Sequence, residues 1–206
     1  MTDKAMTDKT TVRTASACER EAVLRIITLG FLSDPVARWI WPKGEIYLKV
    51  MPEFAQAFGG GAFDRTSADV ASDLQAASLW LPPEAEPDEQ AIDEIFAWSV
   101  RDDISDDLSA MFAQMDAYHP KNQPCWYLPM IAADPAFAGR GLGAALLHQG
   151  LARCDAAGQI AYLESSNPRN LNFYRRHGFE LMGEIQAGSS PKMFPMVRQP
   201  NPQTRH

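Results

Sequence analysis

Residues 130–147 read MIAADPAFAGRGLGAALL, and this stretch decides the fold. An apolar run leads into a turn at residues 134–135, and a helical pattern follows three glycines on alternate positions, Gly139, Gly141 and Gly143. Glycine lets the backbone approach a ligand closely, and its N–H groups form an anion cradle with those of a helix N-terminus. The stretch therefore predicts a strand, a loop that binds a phosphate ester, and a helix.

The same loop also matches the dinucleotide-binding pattern G-x-G-x-x-G/A, with Glu164 about 20 residues farther along the chain. In that motif the first glycine follows the strand almost at once, whereas residues 134–138 intervene here. Too little chain follows Ala144 for the rest of a dinucleotide fold, and no earlier strand–helix–strand unit supplies it. The Lys-Ser/Thr ending of a P-loop is also missing. We therefore expect neither NAD nor a nucleoside triphosphate as the ligand.

Strand and helix patterns continue on both sides of the loop. Cys125–Ala133 is apolar enough for a central strand, but Pro129 lacks an N–H group, which predicts that this strand is splayed near residues 129–131. The elements predicted downstream are a helix over residues 142–156 that stops at Gly158, a strand over 160–164, a helix over 171–177 and two terminal extended segments.

The N-terminal half is predicted to be mostly helical. The spacing of Ser16 and Glu19 predicts a capping box at the start of a helix that ends at residue 32. The other predicted segments are a short helix before Trp41, a helix over 45–58, paired extended segments over 61–65 and 76–81, and acidic helices within 84–119. The Met and Phe residues of the acidic helices have the spacing of core residues.

Composition limits the classes of function. A net charge of −7 opposes binding to nucleic acid and favours cationic substrates such as amines. Three cysteines without a CxxC pair predict free thiols in a reducing cytoplasm and no metal site. No apolar run of membrane-spanning length and no signal-peptide pattern is found, so no membrane association is expected. The tetrapeptide Met-Thr-Asp-Lys occurs twice within residues 1–9, which predicts a disordered leader over 1–10 and a single domain over 11–206.

The glycine-rich loop resembles the acyl-CoA-binding motif of the GNAT superfamily of N-acetyltransferases, Q/R-x-x-G-x-G/A after a strand that ends in x-Asp-Pro. Residues 167–179, NPRNLNFYRRHGF, are similar to a second motif of that family, N-x-x-A/N-x-x-x-Y-x-x-x-G-F. The N-terminal half, with FLSDP at residues 31–35, is similar to the bacterial branch that includes puromycin N-acetyltransferase. One departure is Ala138, which stands where the family has Gln or Arg. Arg140 is expected to supply the positive charge instead.

The resemblance implies an α/β (α+β) fold with a mixed, mostly antiparallel central sheet, flanking helices and a splayed central strand at the cofactor site. It also implies acetyl-CoA as the acyl donor and direct attack by the primary amine of a small molecule in a ternary complex. A homodimer is compatible with such a fold, although the sequence fixes no interface. The residues that the resemblance assigns to the cofactor are Ile131, Ala132, Ala133, Ala138, Gly139, Arg140, Gly141, Leu142, Gly143, Ala144, Asn167, Asn170 and Tyr174.

Tyr174 and Glu164 are the candidate catalytic residues. Tyr174 matches the family's tyrosine beside the cofactor sulfur, and a phenol stays protonated at neutral pH and can donate a proton to the departing thiolate. Packing under the sheet is the alternative role of Tyr174. Glu164 ends its strand and is either a base acting through water or a structural carboxylate, and the sequence leaves both open. Asn170 lies one helical turn before Tyr174 and is either a cofactor contact or part of a helix cap.

The acceptor site is the part that the sequence defines least. Four aromatic residues are candidate walls, although aromatic residues at such spacing are also typical of a core: Phe31, Trp39, Trp41 and Trp126. His119 is expected to be a solvated loop residue, and no histidine is assigned a role. The alternative function is a non-catalytic acyl-CoA-binding sensor, against which the presence of Tyr174 favours the enzyme.

Overall fold

A seven-stranded sheet forms the centre of the computed structural model, which describes residues 10–201. The predicted leader, residues 1–10, lies almost entirely outside this range. The strands, in chain order, are Val12–Thr14 (β1), Ala68–Ala71 (β2), Ala76–Leu81 (β3), Cys125–Ala133 (β4), Ile160–Ser165 (β5), Glu180–Leu181 (β6) and Phe194–Arg198 (β7).

The spatial order of the strands is β1-β2-β3-β4-β5-β7-β6. Neighbouring strands are antiparallel at every position except between β4 and β5, which run parallel. The mixed, mostly antiparallel sheet predicted from the sequence is therefore confirmed. The parallel pair lies at the centre of the sheet, where the functional site forms.

Helices cover the sheet and supply the remainder of the core. In chain order they are Arg20–Gly30 (α1), Pro35–Ile40 (α2), Gly44–Gly59 (α3), Gly61–Asp64 (α4), Glu89–Ser99 (α5), Ser105–Tyr118 (α6), Leu142–Ala157 (α7) and Leu171–Arg176 (α8). Among residues 10–201, no helix combines the length and the apolar character that crossing a membrane requires.

The predicted helix starts have local chemical causes. The Ser16 N–H donates to a Glu19 carboxylate oxygen at 2.9 Å, which is one half of the expected capping box. The Asp34 carboxylate accepts from the N–H groups of Val36 and Ala37, both at 3.0 Å, and so caps the start of α2. This cap fixes the chain where α1 ends and α2 begins, beside the functional site.

One predicted strand is wrong: residues 61–65 contain the short helix α4 instead. The Phe63 N–H donates to the Gly60 carbonyl at 3.0 Å, which continues the helical path of α3, and Ala62 is fully buried. Five residues are too few for a period of 2 to be told from a period of 3.6. The partner of β3 is β2, which begins at Ala68, and the edge strand β1 had no prediction.

Helix α7 packs unusually close to the sheet at Gly150. The indole of Trp80 on β3 is fully buried, and a Cβ added at Gly150 would overlap this indole. The Trp80 indole N–H has no hydrogen-bond partner among the described residues, so the ring is held by packing alone. The glycine is therefore required by this contact.

Replacing Gly150 with alanine should destabilise the protein by about 1–3 kcal/mol, because a rigid buried ring leaves no room for the methyl group. Urea unfolding followed by circular dichroism measures the loss. Gly44→Ala is the matched control, since a Cβ at that helical position meets nothing within 4 Å. Equal stabilities of the two variants would show that α7 can move away from Trp80 freely.

Candidate active site

Strands β4 and β5 separate after a short parallel ladder. Three residues of β4 are paired with β5, and the last of these pairs joins Tyr127 to Tyr162. From Leu128 onward the edge of β4 that faces β5 has no strand partner. We call the resulting opening between the two strands the gap.

A β-bulge is the cause of the separation. Leu128 and Pro129 on β4 stand opposite the single residue Trp80 on β3, because the pairing register shifts by one between Leu79 and Leu81. A bulge bends its strand, and proline has no N–H to lose from a ladder. The splay that Pro129 predicts near residues 129–131 is therefore confirmed.

The last residues of β4 present free backbone groups to the gap. The Asp134 N–H donates to the Gln75 carbonyl at 2.9 Å, which sets the alternation of the β3–β4 ladder. In an antiparallel pair, alternate residues turn their N–H and C=O groups to opposite edges. Ile131 and Ala133 thus face the gap, as expected for cofactor contacts, whereas Ala132 faces β3, contrary to its predicted cofactor role.

The glycine loop leads to the exposed N-terminus of α7. Gly139 and Gly141 have φ angles of +78° and +79°, a conformation that favours glycine. No side chain caps α7, and its first internal bond runs from the Ala145 N–H to the Gly141 carbonyl. The N–H groups of residues 142–144 therefore have no acceptor inside the helix.

These backbone groups fit a pyrophosphate. A Cβ added at Gly139 or Gly141 would meet no atom within 4 Å, so the side of the loop that faces away from the protein is open to a ligand. The adjoining cavity, of about 400 Å³, lies between the loop and α8; we call it the groove. Its lining includes Ala133, Gly143 and Ala144, which the family resemblance assigns to the cofactor, and also Arg176 and His177, for which no role was predicted.

Two other predicted loop residues lie outside the groove. Ala138 is exposed, and its N–H donates to the Pro135 carbonyl at 3.3 Å. The Arg140 guanidinium lies 5.1 Å from the centre of the Phe137 ring, a cation–π contact, and Arg140 does not line the groove. In this conformation neither side chain takes the place of the missing Gln or Arg.

A small enclosed pocket of about 160 Å³ lies at the inner end of the gap. This inner pocket brings together Ile131, Asn167, Asn170, Tyr174 and Glu164, five of the residues predicted from the sequence. Helices α2, α3 and α6 contribute apolar side chains that close it on the far side. The two motifs that are separate in sequence therefore meet in one site.

Tyr174 is buried in this pocket, with 6% of its surface exposed. Its ring packs edge-on against Phe173 and Phe179, with centroid distances of 5.1 and 5.8 Å. Burial, together with the negative charge of Asp34, raises the pKa of the Tyr174 phenol above its ordinary value. The hydroxyl therefore carries its proton throughout the neutral pH range.

The two asparagines have different surroundings. The Asn167 side chain accepts from the Arg169 N–H at 3.0 Å and so caps the turn that leads into α8. Asn170 is exposed and lies one turn before Tyr174 on the same side. Asn170 is thus the asparagine whose side chain is free to contact a ligand.

Glu164 is one of two carboxylates that line the inner pocket, and the other is Asp34. The Tyr127 hydroxyl donates to the Oε2 atom of Glu164 at 2.8 Å. Burial raises the pKa of Glu164 to about 7, although the hydrogen bond from Tyr127 acts in the opposite direction. A carboxyl group that titrates near neutral pH can accept a proton under working conditions.

A second and larger cavity, of about 940 Å³, lies on the other side of Glu164. This outer cavity is formed by α5, α6 and the loops beside them, and Glu164 and Tyr127 line both it and the inner pocket. The carboxylates at its exposed rim are Glu86, Glu89, Asp93, Asp102 and Asp116. The sequence reasoning missed this cavity, for which the acidic composition of residues 84–119 was the available signal.

The candidate acceptor walls divide into two pairs. Phe31 and Trp41 line the inner pocket, whereas neither lines the outer cavity. Trp39 instead donates its indole N–H to the Ser189 hydroxyl at 3.3 Å, and Trp126 donates to Gln159 at 2.8 Å. These two tryptophans do not contribute to either cavity wall, so their predicted role is wrong.

His119 is half-buried, not solvated as expected. Its ring packs edge-on against Tyr127 and Tyr162, at 5.1 and 5.0 Å between centroids, and it lines the outer cavity. Burial lowers the pKa of His119, which favours the neutral imidazole. The ring thus supports the tyrosine that holds Glu164.

Asp34 has a positioning role that the sequence reasoning did not assign. In addition to capping α2, its Oδ2 atom accepts a hydrogen bond from the Ser166 hydroxyl just after β5. The α1–α2 turn is thereby tied to the strand that carries Glu164. The Asp-Pro dipeptide at the start of α2 was the sequence signal for this anchor.

The comparisons with known proteins agree with this geometry. The family model described as the acetyltransferase (GNAT) family matches residues 73–179, about half of the chain. The chain therefore belongs to the GNAT family of acetyltransferases. It is an N-acetyltransferase, and acetyl-CoA is the acyl donor in this family.

Solved structures share the fold over nearly the full length. A Corynebacterium glutamicum protein, described as histone acetyltransferase HPA2 and related acetyltransferase, is 24% identical, with a TM-score of 0.64 and coverage of 95% of this chain and 98% of that one. Drosophila melanogaster polyamine N-acetyltransferase is 16% identical, with a TM-score of 0.63 and coverage of 92% and 99%. A chain from the NatC complex bound to Gag peptide and CoA is 13% identical, with a TM-score of 0.54 and coverage of 93% and 99%.

Proposed function

We propose that this enzyme acetylates the primary amine of a small molecule, with the donor in the groove and gap and the amine in the outer cavity. The observation that carries the proposal is the position of Glu164, which lines the inner pocket and the outer cavity at once. A base at this position reaches both substrates. The two spaces let donor and acceptor be bound together, as direct transfer requires.

On the donor side, backbone groups are proposed to bind most of the cofactor. The free N–H groups of residues 142–144 and the glycine loop would hold the pyrophosphate. Ile131 and Ala133 would pair with the amide groups of the arm that lies in the gap, and Asn170 would hydrogen-bond the same arm. Acetyl-CoA, when bound, supplies the activated acetyl group.

On the acceptor side, Glu164 is proposed to be the general base. An alkylamine reaches the enzyme mostly as an ammonium ion, which cannot act as a nucleophile. With its pKa raised to about 7, Glu164 is ionised in much of the population at neutral pH and can take this proton, directly or through one water molecule. The hydrogen bond from Tyr127 fixes the position of the Oε2 atom.

Tyr174 is proposed to supply the opposite proton transfer. Its buried hydroxyl lines the same inner pocket as Glu164, and it can donate a proton or a hydrogen bond to the departing thiolate. One group thus removes a proton from the nucleophile and the other stabilises the leaving group. The attacking nitrogen loses its second proton as the C–S bond breaks, which restores the proton that Tyr174 gives to sulfur, and Glu164 releases the first proton to solvent. The reaction yields an N-acetylated amine and free CoA thiol.

The rim of the outer cavity supports a cationic small molecule as acceptor. Five carboxylates stand at this rim, and Lys121, which also lines the cavity, is paired with one of them, Asp116, at 2.7 Å. An excess of negative charge at the mouth of a cavity attracts amines. The Drosophila melanogaster relative, whose described reaction forms N-acetylagmatine, also acts on a cationic amine.

The remaining predictions belong to the same proposal. We place the reaction in the cytoplasm, with no nucleic-acid or membrane partner. The likeness of residues 31–35 to the puromycin N-acetyltransferase branch stays a prediction about the acceptor, and a homodimer stays a prediction about assembly. All of them concern the location, the substrate or the partners of the protein.

Calorimetric titration of the purified protein with acetyl-CoA tests the donor side, with NAD and ATP as controls. We expect micromolar binding of acetyl-CoA alone, followed by thiol release when small primary amines are added. Gly141→Val should weaken binding roughly tenfold, because a β-branched residue is strained at a positive φ angle. Gly158→Val is the matched control, since it places the same strain at the far end of α7, where φ is +64°.

Two results would contradict the proposal. Tighter binding of NAD than of acetyl-CoA would show that the glycine loop is a dinucleotide-binding loop. Binding of acetyl-CoA without thiol release to any amine in a broad panel would remove the acceptor half of the proposal and favour a binding module.

A further inference from the structure

The groove continues past the glycine loop to a basic wall. On one side lie the glycines and Ala144, and on the other lie Phe173, Arg176 and His177, at the end of α8. Arg176 is exposed and makes no ion pair with any described carboxylate. A guanidinium group is thus available in the groove, beyond the backbone groups that would receive a pyrophosphate.

The charge around the groove differs from that of the rest of the chain. Residues 135–154 and 165–179, which include α8 and most of α7, contain five arginines and no aspartate or glutamate. Asp155, in the last turn of α7, is paired with Arg198 at 2.8 Å. The chain as a whole has a net charge of −7. One of the five, Arg153, is paired with the buried Asp69 at 2.6 Å. The other four have no acidic partner among the described residues, and Arg176 is the one of them that lines the groove.

We propose that Arg176 binds a phosphate monoester that the donor carries in addition to its pyrophosphate. In acetyl-CoA this group is the 3′-phosphate of the adenosine. Arginine recognises phosphate oxygens through two parallel N–H donors, which gives selectivity as well as affinity. The groove therefore distinguishes CoA from its 3′-dephospho form. This inference rests on the proposed function, because it takes the pyrophosphate to lie at the glycine loop.

The rival role for Arg176 is a contact with the pyrophosphate itself. The two roles differ in what happens when the monoester is removed from the ligand. An arginine that binds the pyrophosphate contributes equally to CoA and to 3′-dephospho-CoA. An arginine that binds the 3′-phosphate contributes to CoA alone.

Four calorimetric titrations separate these roles: CoA and 3′-dephospho-CoA, each with the wild-type protein and with Arg176→Gln. We expect the wild-type protein to bind CoA about tenfold more tightly than 3′-dephospho-CoA, as for a charge-assisted hydrogen bond. Arg176→Gln should bind both ligands with the lower affinity. Arg175→Gln is the matched control, because Arg175 is exposed on the same helix but does not line the groove, and it should keep the wild-type preference.

Equal weakening of both ligands by Arg176→Gln, or equal binding of both by the wild-type protein, would overturn the assignment. Failure of the wild-type protein to bind either ligand would overturn the proposed function and this inference with it. The two failures are distinguishable, because in the first case the wild-type protein still binds both ligands, and in the second it binds neither. Because Arg176 is exposed, a melting temperature close to that of the wild type is expected for the variant and confirms that it is folded.

Discussion

Glu164→Gln should lower the acetylation rate at pH 8 by about 10²–10⁴-fold, while acetyl-CoA binds with its wild-type affinity. The amide has nearly the shape of the carboxyl group and still accepts the hydrogen bond from Tyr127, so the site keeps its geometry but loses its base. Stopped-flow or steady-state thiol release measures the rate, and calorimetry measures the affinity. Glu180→Gln, an exposed carboxylate on β6, is the matched control and should leave both values unchanged.

The pH dependence of the wild-type enzyme gives an independent test of the same residue. Only the ionised carboxylate is a base, so kcat/KM should fall as the pH decreases through about 7, the pKa of Glu164 in the folded protein. Protonated Glu164 predominates below that value. A profile that stays flat between pH 6 and 8, or a Glu164→Gln variant with wild-type activity, would leave Glu164 with a structural role only.

Stability should change in the opposite direction from activity. The folded-state pKa of Glu164 lies above its ordinary value of 4.5, so between about pH 4.5 and 7 the folded state holds a proton that the unfolded state has released. The free energy of unfolding contributed by this group therefore decreases as the pH rises through that range. Glu164→Gln is then expected to be more stable than the wild type at pH 8 and similar to it near pH 4, as thermal melts at both values can measure.

Tyr174→Phe should lower kcat by about a hundredfold with little change in acetyl-CoA affinity, because only the proton donor is removed. The ring of Tyr174 contacts Phe173 and Phe179, and phenylalanine keeps those contacts. Burst-phase or steady-state kinetics with a saturating amine measures kcat, and the titration described above measures the affinity.

Tyr47→Phe is the control for losing a buried tyrosine hydroxyl. The Tyr47 hydroxyl donates to the Thr28 carbonyl at 2.6 Å, outside both cavities, so this variant should lose stability but not rate. If Tyr174→Phe instead keeps the wild-type kcat, or loses affinity and rate in parallel, Tyr174 is a packing residue. In that case another group must stabilise the thiolate.

The donor side of the site was predictable because its chemistry is local. Positive φ angles require glycine at Gly139 and Gly141, and a proline inside a strand implies a break in its ladder, so both features are readable from neighbouring residues. The same holds for the N-terminus of α7. The cap before α8 is formed by Asn167, whereas the sequence had offered Asn170 as the cap residue. A short stretch of chain determines each of these structures.

The acceptor side was not predictable in this way, since it forms between segments that are distant in sequence. Whether Trp39 or Trp41 lines a pocket depends on how α2 packs on the rest of the protein. The spacing of residues within α2 does not reveal this packing. The outer cavity lies between α5, α6 and the loops beside them. Met111 and Met115 are buried as expected, whereas Phe96 and Phe112 are partly buried and line this cavity. His119 acquires its contacts in the same way, from two tyrosines on different strands.

The net charge of this protein conceals an uneven distribution of charge between its two cavities. Five carboxylates stand at the rim of the outer cavity, whereas the groove is lined by Arg176 and by no carboxylate. A polyanionic donor and a cationic acceptor are therefore each drawn toward their own entrance and repelled from the other. Long-range attraction thus sorts the two substrates before either makes a contact, and added salt weakens this sorting.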